Sequence, residues 1–213
     1  MYMTGQINRG DHLGDFIYEV ASDTKYKNYV EIGTWNGQGS TLCFRQGLET
    51  RDDEWSFFSF ESDIDFYRQA SLFHGETDPR FNLVYGRIIN SEDMFQLESD
   101  LVKNHYANHV HENIHTRFFN HDLAAYESCD NRFSLIEGLD IDVLLLDGGE
   151  FSTYAEFEML KNATGMIILD DTKELKTKAV REALMSDEEW TCLVDSGSRN
   201  GFSIHTNKKR GKQ

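Results

Sequence analysis

Three acidic side chains follow two apolar segments that are typical of neighbouring strands in one sheet. Asp147 comes directly after the apolar run 141–146, and Asp170 and Asp171 come directly after the run 165–169. Parallel strands lie roughly 5 Å apart and end at the same edge of a sheet, so we expect the three carboxylates to converge. Carboxylates this close repel one another unless a cation compensates them, and oxygen-only ligands favour Mg²⁺ over zinc. A hydroxyl group bound to that ion becomes easier to deprotonate.

A glycine-rich turn follows another short apolar strand near the start of the chain. Residues 29–41 read YVEIGTWNGQGST, with the acid Glu31 at the end of the strand. Gly33 allows a sharp turn, and Gly37 and Gly39 allow a ligand to approach the main chain closely. The spacing does not fit the dinucleotide-binding fingerprint, in which two glycines one residue apart precede a third. A tight turn of an α/β domain is the simpler interpretation of the same residues.

A second acid ends the next apolar run. The aromatic segment 55–60 is consistent with a buried strand, and Glu61 follows it directly. In a doubly wound sheet, an acid at this position lies beside a bound ribose and accepts hydrogen bonds from its hydroxyls. Asp63 is the alternative for this role, and an ordinary strand-end carboxylate is the simpler interpretation of Glu61.

Together these motifs resemble those of the class I S-adenosylmethionine-dependent methyltransferases. The resemblance implies that the first acid binds the amino group of the methionine moiety, while the glycine loop wraps the methionine and the ribose. The residues that it assigns to the cofactor are Glu31, Gly33, Thr34, Trp35, Gly37, Gly39, Ser40, Glu61 and Asp63. It also implies a Rossmann-like, doubly wound α/β fold with seven strands in the order 3-2-1-4-5-7-6, mostly parallel with a C-terminal antiparallel hairpin.

The acidic turns resemble, more narrowly, those of metal-dependent O-methyltransferases that act on sugars of macrolide and aminocoumarin antibiotics. That group has an Asp-Gly-Asp turn after the fourth strand, then a Tyr and a Ser-Thr pair, and an Asp-Asp pair after the fifth. The corresponding residues here are Asp147-Gly148, Ser152-Thr153 and Asp170-Asp171. The resemblance implies that Asp147, Asp170 and Asp171 bind Mg²⁺. It also implies that the enzyme methylates a hydroxyl of a small polar acceptor, such as a sugar or glycoconjugate.

The sequence departs from that group where its members have a general base. Gly149 stands at the position of the second Asp in the turn, and Glu150 follows it. We therefore expect Glu150 and Asp147 to be the catalytic carboxylates, with Glu150 as the base. A base from a histidine-rich segment further up the chain is the alternative. Asp171 also has a second interpretation, because the segment 171–174 resembles a capping box for the following helix.

Composition limits the classes of partner. The 213 residues include 21 basic and 37 acidic side chains, which gives a formal charge of −16. Such an acidic surface repels phosphate backbones, so nucleic acid is a poor candidate substrate. The three scattered cysteines form neither a zinc pattern nor a disulfide framework, and no segment is apolar enough to cross a bilayer. We therefore expect a cytoplasmic protein that binds neither nucleic acid nor membranes.

A single domain accounts for residues 1–213, with an irregular insertion at about 90–132. The insertion contains apolar residues whose spacing predicts one helix, namely Met94, Leu97, Leu101 and Val102. It also contains five histidines, which are His105, His109, His111, His115 and His121. Two pairs have the i, i+4 spacing of one helix face, but a zinc site needs more ligands than a pair supplies. The insertion is long enough for a lid over the substrate or for a contact in a homo-oligomer.

Three other functions fit parts of the sequence. A metal-independent methyltransferase of the same fold would use the acids as caps and substrate contacts. A non-catalytic binding module is favoured by the glycine at position 149. A glycosyltransferase would use the Asp-x-Asp triplets at 63–65 and 140–142 to bind a metal. Such triplets arise easily by chance in an acidic chain, and neither of them explains the glycine-rich turn.

Overall fold

Strands and helices alternate along residues 6–107 and 113–210, the part of the chain that this computed structural model describes. The strands are Asn28–Ile32 (β1), Ser56–Glu61 (β2), Phe81–Tyr85 (β3), Ile141–Leu146 (β4), Thr164–Asp170 (β5), Trp190–Ser196 (β6) and Phe202–Asn207 (β7). The helices are His12–Ser22 (α1), Ser40–Leu48 (α2), Ile64–His74 (α3), Asp100–Tyr106 (α4), Ile114–Ser128 (α5), Thr153–Leu160 (α6) and Leu175–Ser186 (α7). Within these two ranges, no helix combines the length and the apolar character that crossing a bilayer requires.

The strands form one sheet in the order β3-β2-β1-β4-β5-β7-β6. Strands β1 to β5 pair in parallel, and β7 runs antiparallel to both β5 and β6. Parallel neighbours need crossover connections, and the helices between the strands supply them. The strand order and the C-terminal hairpin are those predicted from the sequence, so the fold prediction is confirmed.

The sheet buries both of its faces, as strand β4 illustrates. Val143 and Leu145 belong to the core shared with α1 and α2, whereas Leu144 and Leu146 belong to the core shared with α6 and α7. All four side chains are fully buried. Successive side chains of a strand point to opposite faces, so one continuous apolar run supplies two cores. The same packing fixes the carboxyl end of β4, where Asp147 follows.

Helix α7 does not begin where the capping-box pattern predicts. Its N-cap is Glu174, and the helix starts at Leu175. Asp171 instead has a left-handed backbone with φ of +56°, and its carbonyl accepts a hydrogen bond from the Glu174 N–H at 2.8 Å. The interpretation of Asp171 as the helix cap is therefore wrong. A tight turn separates β5 from α7 and leaves the Asp171 carboxylate at the sheet edge.

The described residues of the insertion include helices α4 and α5, and only α4 overlaps the helix predicted from Met94, Leu97, Leu101 and Val102. Met94 and Leu97 precede α4, whose first turn is capped by the Ser99 hydroxyl accepting from the Val102 N–H at 3.4 Å. The prediction that all four residues share one helix is therefore wrong, because a hydroxyl cap starts the helix after the first two of them. The two histidine pairs each include a residue outside the described ranges, either His109 or His111.

Candidate active site

The carboxyl ends of β1 and β4 lie in close contact at Gly33. Its φ is +98°, and a Cβ atom at this position would overlap the carbonyl oxygen of Asp147. The Asp147 N–H in turn donates to the Ile32 carbonyl at 2.9 Å. Only glycine fits both the left-handed backbone and the close approach. The glycine-rich turn therefore lies directly beside Asp147.

Glu61, at the end of β2, holds the glycine-rich turn in place. One carboxylate oxygen accepts the Trp35 N–H at 2.7 Å, and the other accepts the Asp63 N–H at 2.8 Å. Glu61 is 8% exposed, and this burial raises the pKa of its carboxyl to about 7. Trp35 has φ of +49°, and its ring packs against Phe66 with 5.9 Å between centroids. Glu61 thus orients the turn while it faces the space above the sheet edge.

Two cavities meet at this turn. The larger has a volume of about 370 Å³, and its walls include Glu61, Asp63, Asp122, Glu150 and Lys176. The smaller has a volume of about 150 Å³, and its walls include Thr34, Gly39, Ser40 and Asp170. Residues lining both are Gly33, Trp35, Asp147 and Asp171. An elongated ligand that fills both cavities would cross the sheet edge beside Asp147.

Glu31 lies in the interior, with none of its surface exposed. One of its carboxylate oxygens accepts hydrogen bonds from the hydroxyls of Thr41, at 2.7 Å, and Ser59, at 2.5 Å. Burial raises the pKa of the Glu31 carboxyl to about 7, against the opposing effect of these hydroxyls. The other oxygen, Oε1, has no hydrogen-bond partner in the described part of the chain. An unpaired buried carboxylate oxygen is costly, and a cationic ligand group would satisfy it.

Gly37 and Gly39 have different surroundings. A Cβ atom at Gly37 would lie 2.9 Å from the ring of His74, whose Nε2 is 2.8 Å from the Gly37 carbonyl oxygen. At Gly39 the nearest atom to an added Cβ is 3.5 Å away, and this residue lines the smaller cavity. The structure therefore gives Gly37 a packing role against α3, which differs from the ligand contact expected from the sequence. Of the two glycines, Gly39 is the one whose main chain a ligand has room to approach.

The structure brings Asp147, Asp170 and Asp171 together. One carboxylate oxygen from each lies within 4.8 Å of the others. Asp170 is buried, and this burial, together with the charges of the other two, raises the pKa of its carboxyl to about 7. Burial also raises the pKa of Asp147. Compensating positive charge is therefore needed at this edge.

Two basic side chains supply that charge. Lys176 Nζ lies 2.5 Å from Asp147 Oδ1 and 3.1 Å from Asp171 Oδ2. Arg199 lies 3.0 Å from Asp170 Oδ2. Although burial opposes the charged form of Lys176, the two aspartates raise its pKa above the usual value. Sequence reasoning missed both cations, although Lys176 stands only five residues after Asp171.

Two further carboxylates, those of Glu150 and Asp122, line the larger cavity. Glu150 Oε1 accepts hydrogen bonds from the Tyr106 hydroxyl at 2.6 Å and the Leu175 N–H at 3.0 Å. Asp122, on α5, accepts the Phe151 N–H at 3.0 Å. Burial raises the pKa of both carboxyl groups. An acid whose pKa is raised is a stronger base once it is ionised.

A buried pair that sequence reasoning missed also lines the larger cavity. Glu156, on α6, is 1% exposed and accepts a hydrogen bond from the Tyr126 hydroxyl on α5. Burial raises the pKa of the Glu156 carboxyl to about 7. Its Oε2 atom has no partner within residues 6–107 and 113–210. No pattern in the sequence marks this pair, because its members are 30 residues apart on different helices.

The chain matches no protein-family model and no curated protein sequence. Its fold is similar to that of several solved structures. A methyltransferase from Geobacter sulfurreducens is 13% identical, with a TM-score of 0.59, covering 95% of this chain and 81% of that chain. The SAH-bound methyltransferase PaMTH1 from Podospora anserina is 15% identical, with a TM-score of 0.57, covering 92% and 77% respectively. The O-methyltransferase from Bacillus cereus in complex with SAH is 15% identical, with a TM-score of 0.56, covering 92% and 80% respectively.

The chain has a class I methyltransferase fold. The sheet order and the antiparallel hairpin at its end agree with this similarity over nearly the whole chain. At these identities the similarity concerns the fold alone.

Mg²⁺, which the narrower sequence resemblance implies, does not fit the arrangement of side chains at the sheet edge. Lys176 and Arg199 each engage carboxylate oxygens of this cluster, so a divalent cation would enter next to two positive charges that already compensate the same aspartates. Asp170 Oδ1 is a buried oxygen without a partner among the described residues, but the Lys176 ammonium, held between Asp147 and Asp171, would repel an ion bound beside it. The repulsion that would call for a metal is thus relieved by the protein's own cations.

Proposed function

We propose that this protein is an S-adenosylmethionine-dependent O-methyltransferase that acts on a hydroxyl of a small polar acceptor, such as a sugar or glycoconjugate. The observation that carries the proposal is the junction of two cavities at Trp35, with the buried acid Glu61 in the wall of the larger one. The fold supports it, since two similar structures are described as methyltransferases holding SAH.

Residues at both ends of the glycine-rich turn suit the cofactor. Glu31 lines neither cavity, but its carboxylate accepts a hydrogen bond from the hydroxyl of Thr41, the residue after Ser40 of the smaller cavity. Its unpartnered oxygen is the acceptor that we assign to the methionine ammonium group. Glu61, with Asp63 beside it, would accept hydrogen bonds from the ribose hydroxyls in the larger cavity. Trp35 separates the two regions, so its main chain would lie against the centre of the ligand.

Glu150 is the residue that we assign as general base, with Asp147 beside the reacting atoms. S-adenosylmethionine, when bound, supplies an electrophilic methyl group. The acceptor hydroxyl must lose its proton as its oxygen forms the new C–O bond, and a carboxylate in the cavity wall can take that proton. Two hydrogen bonds, from Tyr106 and Leu175, fix the Glu150 carboxylate in one orientation.

The polar lining of the larger cavity supports a hydroxyl-rich acceptor. Asp122, His121 and Arg87 line it together with Glu150. These side chains offer hydrogen-bond partners on several sides, and a sugar presents hydroxyl groups in several directions. We further propose that the insertion acts as a lid, because Phe118 and the other inward residues of α5 form one wall of this cavity.

Methyl transfer from radiolabelled S-adenosylmethionine to a panel of sugars and glycosides tests the proposed activity. We expect Glu150→Gln to lower kcat by about 10²-fold or more, because general-base catalysis contributes typically that much. Asp122→Asn reports whether the other cavity carboxylate is the base instead. Glu158→Gln, which removes an exposed acid of α6, is the matched control and should leave the rate unchanged. Full activity in Glu150→Gln would contradict the assignment of the base.

A further inference from the structure

We propose that Lys176 is a built-in cation which takes the place of a divalent metal ion in this site. The inference rests on the proposed function for its chemical role, but its central observation is independent of it. Lys176 Nζ contacts Asp147 and Asp171 at once, at 2.5 and 3.1 Å, and the Lys176 side chain is only 13% exposed.

The neighbours of Lys176 hold its side chain at the sheet edge. The Leu175 N–H is bound by Glu150, and the Thr177 hydroxyl donates to the Asp170 carbonyl oxygen at 2.6 Å. Leu175 and Thr177 are both fully buried. The first turn of α7 is thereby tied to the ends of both β4 and β5. Lys176 has little freedom to withdraw its ammonium group from the three carboxylates.

Charge balance favours the ammonium group over a divalent cation. Asp147, Asp170 and Asp171 contribute three negative charges, while Lys176 and Arg199 contribute two positive charges. A metal ion entering this site would displace the Lys176 ammonium from its partners and leave it buried without them. Removing one partner from a buried ion pair is strongly unfavourable, because the remaining charge is no longer compensated. Wild-type protein is therefore expected to bind divalent ions poorly here.

An ammonium group also suits the proposed reaction. It has three N–H donors, of which two are directed to Asp147 and Asp171. Because Lys176 lines the larger cavity, the third donor is available to the acceptor oxygen. Lone-pair electrons of that oxygen form the new C–O bond, the C–S bonding pair leaves with sulfur, and the hydroxyl proton passes to Glu150. The ammonium group stabilises negative charge on the oxygen during these changes, as a metal ion would in a metal-dependent enzyme.

Mn²⁺ binding, followed by electron paramagnetic resonance, tests the inference without any acceptor. Wild-type protein, Lys176→Met and Lys178→Met are titrated with Mn²⁺ under identical conditions. Lys178 is an exposed lysine on the same helix, so its variant removes one positive charge away from the site. We expect Lys176→Met to bind Mn²⁺ at least tenfold more tightly than wild-type protein, and Lys178→Met to match wild-type protein. Micromolar Mn²⁺ binding by wild-type protein that Asp170→Asn abolishes would overturn the inference, as would Lys176→Met with no gain.

Three further measurements separate misfolding of a variant, failure of the proposed function and a true metal requirement. The unfolding transition of each variant is recorded, and Lys176→Gln replaces Lys176→Met if the latter does not fold; the wild-type titration needs no variant. Calorimetry with S-adenosylhomocysteine on wild-type protein reports on the proposed function separately, since it requires neither a metal ion nor a Lys176 variant. Turnover by wild-type protein should be unchanged by EDTA, whereas a loss of turnover that Mg²⁺ restores would contradict the built-in cation.

Discussion

The carboxylate of Glu61 and the main-chain N–H of Trp35 form a 2.7 Å hydrogen bond that joins the end of β2 to the glycine-rich turn. The same carboxylate accepts the Asp63 N–H, so one side chain supports two loops at the sheet edge. Trp35 has a left-handed backbone, which is unfavourable for a residue with a bulky side chain. Glu61 therefore helps to stabilise a strained turn and also lines the larger cavity.

Replacing Glu61 with alanine should weaken S-adenosylhomocysteine binding. The variant removes both the acceptor for the ribose hydroxyls and the support of Trp35. Hydrogen bonds to charged groups contribute about 1.5 to 3 kcal/mol, so we expect a loss of affinity of about 10- to 100-fold by calorimetry. Glu76→Ala, at an exposed acid after α3, is the control. Equal affinity in the two variants would show that Glu61 does not contact the ligand.

Breaking the Arg199–Asp170 ion pair should destabilise the fold. The Arg199 side chain is mostly buried, and it joins the β6–β7 hairpin to both Asp170 and Asp11. Removing one partner of a buried pair costs about 3 kcal/mol or more, so Arg199→Met should lower the free energy of unfolding in urea by that amount. Arg181→Met breaks a more exposed pair with Asp195 and should cost less than about 1 kcal/mol. Similar losses in both variants would argue against the structural role of Arg199.

The stability of the protein should fall as the pH rises through the neutral range, in part because of Glu156. Its pKa is raised from 4.5 to about 7, so the folded protein retains a proton that the unfolded chain releases between these values. The stabilising effect is complete below pH 4.5 and is lost as the pH rises through about 7. Glu156→Gln should therefore reduce the difference in unfolding free energy between about pH 5 and about pH 8, by on the order of 2 kcal/mol.

Urea titrations of wild-type protein and Glu156→Gln at the two pH values measure this difference. The comparison between pH values cancels any constant change in the bond to Tyr126. Glu158→Gln, on the exposed side of the same helix, should keep the wild-type pH dependence. An unchanged pH dependence in Glu156→Gln would mean that its carboxyl titrates normally.

A side chain at position 149 should be poorly tolerated. A Cβ atom there would lie 2.8 Å from Ser152 Oγ and 2.9 Å from Asp122 Oδ2. Gly149→Ala should cost about 1 to 3 kcal/mol through this crowding, and Gly149→Asp should cost more because it adds a second carboxylate beside Asp122. Gly197→Ala, where nothing lies within 4 Å of the new atom, is the control. Chemical denaturation of the three variants measures these costs, and a Gly149→Asp protein as stable as wild type would refute the clash.

The fold could be predicted from the sequence because local patterns carry most of its information. The apolar run that became β4 ends at the same residue in the prediction and in the structure, and an acid follows it. A strand buried on both faces requires a continuous apolar run, and such runs stand out in an acidic chain. The strand order itself came from the resemblance to a family, since periodicity alone indicates only an alternating α/β chain.

The site was predictable only where its residues stand at strand ends. Asp147, Asp170 and Asp171 were found because strand-end positions in a parallel sheet converge. Lys176 was missed because a lysine in a helix is normally predicted to be exposed to solvent. Only the turn after β5 directs this side chain towards the carboxylates at the sheet edge. Asp122 and Tyr126 were missed because the insertion has no clear periodicity. Without it, the sequence does not indicate which side chains of the insertion face the sheet edge.

Calorimetric titration with S-adenosylhomocysteine, repeated on Glu31→Ala, tests the central claim most directly. The claim requires that the two cavities beside the glycine-rich turn bind this ligand, with Glu31 at one end. We predict micromolar binding by wild-type protein, with or without Mg²⁺, and loss of that binding in Glu31→Ala while the unfolding transition is retained. Absence of binding by wild-type protein under both conditions would contradict the methyltransferase function.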